Sequence, residues 1–231
     1  MSADLRDVAW RFLIAMGAGS LIGAVIGGGG GRLAMLLLRL GSSASVRGVT
    51  TDDGFAIGRF TTATGFLMMV TAGLGGATGV AYIVVRSGLP ARPRTVIWGA
   101  FLALLVGADL LKPTSLDFTI LDPKPFAIAS FVVLPGLAAF AIAVAIERLL
   151  ARPSWSSRPL TLVLAVGSLP LVPVLPAIAV VGAAVLAARR TIGRHDATRR
   201  LGAIVVPVVV TLLAIRSGVE IWRDTDAILS P

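Results

Sequence analysis

FLIAMGAGSLIGAVIGGGGG, residues 12–31, is the stretch on which the fold turns. It carries no charge over 20 residues, and a helix rising about 1.5 Å per residue spans the roughly 30 Å hydrocarbon core of a bilayer in that length. A surface helix of a soluble domain would interleave a polar face with its apolar stripe; here Ser20 is the only side chain with a polar atom besides the thioether of Met16. Past Arg32 the apolar run resumes as LAMLLL and ends near Leu40. Working outward, similar runs recur at about 60–85, 95–111, 126–146, 160–188 and 201–215, which makes about six hydrophobic segments. One such run could be a soluble core; six cannot. The composition agrees, with 56% hydrophobic and 14% charged residues and a mean hydropathy of +0.90, against roughly 25% charged in soluble domains. The expected fold is an all-α, polytopic transmembrane helix bundle, a single domain over residues 1–231 with no linker.

Two segments need separate treatment. The first, with Arg6 and Arg11 ahead of it, imitates a signal peptide, but it is longer than a usual signal core and lacks an A-x-A cleavage site, so it reads as a retained helix. The fifth contains PLVPVLP with Pro170, Pro173 and Pro176. Each proline removes an N–H and crowds the preceding turn, so the segment is either one kinked crossing or a re-entrant pair of half-helices. Charge separates the two. A single crossing divides the 21 basic residues ten against eleven, whereas re-entry gives 13 on the N-terminal side against 8. The positive-inside rule favours re-entry with a cytoplasmic N-terminus.

Nineteen of the 21 basic residues are Arg, the exceptions being Lys112 and Lys124. With abundant Ala and Gly this points to a high-GC bacterial genome and a bacterial cytoplasmic membrane. The net charge of +9 is read as topology bias plus attraction to anionic headgroups; the densest run, Arg189 to Arg200, is an anchor of that kind. The basic residues lie in short loops that leave no room for a nucleic-acid-binding fold. The absence of Cys removes disulfides, thiol catalysis and Cys-based metal sites. His195, the only histidine, sits in a basic loop with no second imidazole for zinc. Gly27–Gly31 lacks the G-K-[ST] ending of a phosphate loop. No catalytic residue, metal or cofactor is assigned.

Small residues recur every four positions at Ala15, Gly19, Gly23, Gly27 and Gly31, again at Gly99, Ala103 and Gly107, and at Gly75 and Gly79. Lipid offers helices no hydrophobic reason to associate, so such stripes serve close backbone packing, within one bundle or in a homo-oligomer. Charged groups near the bilayer need a reason. With the N-terminus inside, Arg32, Asp52, Asp53, Arg59, Asp109 and Asp117 share the outer face, with Arg216 and Glu220 from the last segment. They form either a set of mutual pairs, Arg32 with Asp109 for example, or a substrate or ion vestibule. Asp52 and Asp53 also suit a loop turn and helix cap, or a weak cation site. A short internal echo links Gly107-Ala-Asp109-Leu-Leu-Lys112 with Gly218-Val-Glu220-Ile-Trp-Arg223, and many transporters are built from repeats.

The stretches Gly31-Arg32-Leu33-Ala34-Met35, Gly48-Val-Thr-Thr-Asp52-Asp53-Gly54-Phe55, Gly58-Arg59-Phe60-Thr61 and Leu116-Asp117-Phe118 resemble an actinobacterial-type family of multi-span membrane proteins, over roughly residues 1–150. The resemblance implies a multi-pass fold and draws Arg32, Asp52, Asp53, Arg59 and Asp117 into one constellation. It implies no activity and no catalytic or binding residue. Three functions are therefore carried forward: a transporter-like or channel-like protein for a small solute or ion, a non-catalytic scaffold or accessory subunit with a membrane-protein partner, and a lipid-modifying enzyme working through the Asp pair.

Overall fold

The structure, a computed structural model, describes residues 3–46, 48–51, 54, 62–151, 158–169 and 196–230. Asp52, Asp53, Arg59, His195 and the proline cluster of the fifth segment lie outside these residues. The described chain is helical, without a β-strand. Helix α1 (Ala3–Ile22) passes through a π-helical stretch (Gly23–Gly29) directly into α2 (Gly30–Gly41). Then follow α3 (Thr62–Val85), α4 (Arg94–Leu110), the single turn α5 (Leu116–Thr119), α6 (Lys124–Leu150), α7 (Arg158–Gly167) and α8 (Asp196–Leu229).

Four of these helices are long and apolar enough to cross a bilayer: Asp7–Gly41, Thr62–Val85, Lys124–Leu150 and Val205–Leu229. The sequence pattern had suggested six. The third segment forms a helix of 17 residues, roughly 25 Å at 1.5 Å per residue, and the described part of the fifth forms 10. The last segment differs most from expectation. The apolar run ends at Ile215, yet the polar residues after it continue as helix to Leu229. Their charges support that helix, since Arg216 Nε bonds Glu220 Oε1 at 2.9 Å, one turn on.

Two buried clusters mark the ends of the bundle. At the first end Trp10, Ile14, Tyr82, Leu89, Trp98 and Ile146 pack together. At the second end Leu38, Val46, Leu111, Phe118, Leu121 and Ile228 do so. These memberships fix the directions of the helices. The α1–α2 rod runs from first end to second, α3 returns, α4 goes out again and α6 returns. Helix α8 places Val206, Val210 and Ala214 against the first cluster and Ile228 in the second, so it runs parallel to its neighbour α4. Helix α7 lies along α1, with Leu164 at Gly17 and Gly167 at Leu21.

The small-residue stripes are where the backbones meet. A Cβ on Gly19 would overlap the carbonyl of Gly75, one on Gly75 would overlap the carbonyl of Gly19, and one on Gly79 would overlap that of Ala15. The stripes of α1 and α3 thus mesh within the chain, as dispersion-driven packing in lipid requires. Gly99 and Ala103 of α4 meet Gly136 of α6 in the same way. Gly27–Gly29 belong to the π-helical stretch, and Gly27 and Gly28 pack against Thr71 and Met68 of α3, as packing residues in a helix and not as a loop around a phosphate.

Candidate functional site: a mixed-charge cleft between two parallel helices

Near the second end α4 and α8 part to leave a cleft of about 570 Å³. Its geometry follows from Gly107. A Cβ there would stand 3.1 Å from Val132 of α6 and 3.4 Å from Ile221 of α8, so all three helices converge at this level. Just past this level α4 ends at Leu110 and the chain turns away through Lys112 and Pro113 while α8 continues, and the gap extends to both sides of that level, from Leu105 and Leu213 to Lys112 and Asp224. The gap is bordered by Asp109 and Lys112 on one side and by Arg216, Ser217, Glu220 and Asp224 on the other. Leu105, Ala108, Leu111 and Leu213 form its apolar part.

The charges here are unequally committed. Glu220 holds Arg216 through Nε alone, and a guanidinium has further donors in a fixed fork. Asp109, Lys112 and Asp224 make no hydrogen bond or ion pair with described residues. The two echo motifs meet at this cleft: Asp109 and Glu220, the acids of each, face one gap because their helices are parallel neighbours.

Of the other residues proposed from the sequence, Arg32 is half-buried and donates from Nη2 to Thr64 Oγ1 at 2.7 Å. The suggested Arg32–Asp109 pair does not form, because Asp109 points into the α4–α8 gap while Arg32 reaches across to α3. Asp117 is buried at 5% exposure in α5. Its N–H donates to Ser115 Oγ at 3.4 Å, a serine cap of that turn. Neither Arg32 nor Asp117 lines the cleft. Asp52, Asp53 and Arg59 lie outside the described residues.

The first end holds a charged group that sequence reasoning missed. Glu147, near the end of α6, accepts from Tyr82 Oη at 2.8 Å, from Arg86 Nε at 3.0 Å and Nη2 at 2.8 Å, and from Arg94 Nη2 at 2.8 Å. One carboxylate thereby ties the end of α3, the start of α4 and the end of α6. The Arg86 contact is two-pronged, the geometry in which a guanidinium binds a carboxylate most firmly. Side-chain exposures of 21% for Glu147, 23% for Arg86 and 27% for Arg94 set this cluster apart from freely solvated surface pairs. A signal for it was present: Glu147 is the only acid between Asp122 and Asp196, Tyr82 is the only tyrosine, and both flank Arg-rich turns.

Comparison with known proteins finds no matching family model, no matching curated protein and no matching solved structure. The site is therefore read from its own chemistry. Among the described residues no group of His, Cys, Asp and Glu is arranged to hold a metal ion. What the cleft offers is fixed charge of both signs above an apolar floor. That combination, a few polar groups set against apolar lining, is the make-up of a small-molecule binding site.

Proposed function

We propose that the chain is a multi-pass protein of a bacterial cytoplasmic membrane that binds a small charged solute or ion, transporter-like or channel-like, through the cleft between α4 and α8. The observation that carries this reading is the set of uncommitted charges, Asp109, Lys112 and Asp224, in one gap with Arg216 and Glu220. Charged groups at membrane helix ends that are not used up in internal pairing are available to a ligand. The test is solute binding and flux in proteoliposomes, comparing wild type with Asp109→Asn and Glu220→Gln. Reduced binding and flux in both variants are expected, and unchanged behaviour of both would remove the proposal.

The topology belongs to the same proposal. Helix α6 ends at the first end of the bundle, and α8 packs Val206 beside Gly88 at that same end. This supports a re-entrant path for segment 160–188, entering with α7 beside α1 and leaving on the side where it came in. It also supports the charge division that puts the N-terminus in the cytoplasm. Single-Cys labelling at Ser43, Thr198 and Ser230 in this Cys-free chain tests it: Thr198 should label from the cytoplasmic face and Ser43 and Ser230 from the other. Reactivity of Thr198 on the same side as Ser230 would refute the re-entrant path.

A scaffold or accessory-subunit reading has one observation in its favour. Few residues of the apolar stretch Val205–Leu229 are buried within the chain, and Leu212, Val219 and Trp222 are uncovered. Lipid suffices to cover them, and a partner helix would as well. Purification in mild detergent separates the two, since an accessory subunit should bring down a stoichiometric membrane partner.

A further inference from the structure

Building on the reading of the α4–α8 cleft as a binding site, we infer that its ligand is an amphiphile with a zwitterionic head, a primary ammonium joined to a phosphate, as in an ethanolamine phospholipid. Three carboxylates, Asp109, Glu220 and Asp224, face two cations, Lys112 and Arg216. A simple anion would meet the carboxylates at close range, and a simple cation would leave Lys112 without a counter-charge. A head carrying both charges matches both sets. Its phosphate has Lys112 and the free N–H donors of Arg216, and its ammonium has Asp109 and Asp224, which bond nothing else in the described chain.

The lining also selects the kind of ammonium. Among the described residues that line the cleft, none is aromatic. Quaternary ammonium heads are recognised by aromatic faces, whereas a primary ammonium presents three N–H donors that carboxylate oxygens accept. Carboxylates without aromatics therefore favour an ethanolamine-type head over a choline-type one.

The apolar part of the cleft argues for a tail. Because α4 and α8 are parallel, Leu105 lies one turn deeper than Asp109, about 6 Å at 1.5 Å per residue, and Leu213 lies one turn deeper than Ser217 on the facing helix. Both leucines stay partly uncovered, at 36% and 37% exposure, which leaves apolar surface in the groove between them. Charges displaced toward the second end of the bundle, with the apolar side chains of Leu105 and Leu213 one turn deeper, follow the order in which a lipid stacks its head above its chains. The cleft volume of about 570 Å³ lies in the range of small-molecule sites, roughly 300–1,000 Å³, well beyond what a bare ion requires.

The test uses the full chain in detergent and counts bound lipid by native mass spectrometry, titrating chain-matched phosphatidylethanolamine, phosphatidylcholine and phosphatidylglycerol, together with soluble glycerophosphoethanolamine. The wild type should favour phosphatidylethanolamine over phosphatidylcholine by about tenfold, the equivalent of one lost charge-assisted contact. Joint Asp109→Asn and Asp224→Asn substitution should bring the two lipids level. Lys112→Glu, which leaves both acids in place, should weaken every phosphate-bearing ligand. Equal affinity for the two zwitterionic lipids in the wild type, or a preference that survives the double substitution with an unchanged melting temperature, would overturn the inference. If the soluble head competes as strongly as the whole lipid, the amphiphile is wrong while the cleft remains a solute site. If no ligand responds to any cleft substitution and flux is also unaltered, the cleft reading itself fails.

Discussion

The two ends of the bundle hold similar sets of charges and use them in opposite ways. At the first end Glu147 accepts four hydrogen bonds from Tyr82, Arg86 and Arg94, and three helices are bound through one carboxylate. At the second end Asp109, Lys112 and Asp224 stand in a gap with no partner among the described residues, and Arg216 is held by a single contact. A charge whose hydrogen-bonding capacity is met within the fold stabilises it; a charge left unmet at a cleft is available to something outside. The contrast therefore separates a structural clasp from a candidate binding site without reference to any relative.

The largest expected effect lies at the clasp. Glu147→Ala leaves Arg86 and Arg94 as neighbouring, half-buried cations and should destabilise the bundle by about 2–3 kcal/mol, less than a fully buried broken pair because water still reaches the cluster. Thermal or denaturant unfolding in detergent would show it, and a melting curve matching wild type would mean that the two ends are not different in kind. Next comes Tyr82→Phe, which removes one donor and keeps both arginines. The expected loss is about 1 kcal/mol, typical of a single hydrogen bond, read by the same unfolding measurement. The smallest effect on stability should be that of Asp109→Asn at the open end, within about 0.5 kcal/mol as for surface substitutions away from special features. That variant should show its effect in ligand binding. A large stability loss at Asp109 would place both ends in the structural class.

Much of this was legible in the sequence. The long apolar runs mark the helices, and the small-residue stripe from Ala15 to Gly23 marks the face that meets α3, because in lipid only close backbone approach makes such spacing useful. The acids at Asp109 and Glu220 stood out because each sits in the same short pattern of small residue, acid, two apolar residues and base. The helix beyond Ile215 was hidden, since its polar residues lower the local hydropathy while its anchors, Ile221 and Ile228, lie far apart and pack against distant elements. The Glu147 clasp was hidden for a related reason: its partners lie 53 to 65 residues away, and no local pattern encodes a contact at that distance. The burial of Asp117 could not be read from a stretch whose prolines and acids mark a loop, although Phe118 and Leu121 beside it join a buried cluster.

The π-helical stretch Gly23–Gly29 also sets the rotational phase of everything after it. A wider turn accommodates about one extra residue relative to an α-helix, and one residue corresponds to roughly 100° around the axis. The rod can therefore be meshed with α3 through Gly19 and Gly23 and still turn Arg32 back toward Thr64 on that same neighbour. An uninterrupted α-helix would carry the guanidinium off toward a different sector of the bundle. Removing one glycine from this stretch would work like slipping a gear by one tooth, leaving the teeth intact on both sides and the arginine misaligned.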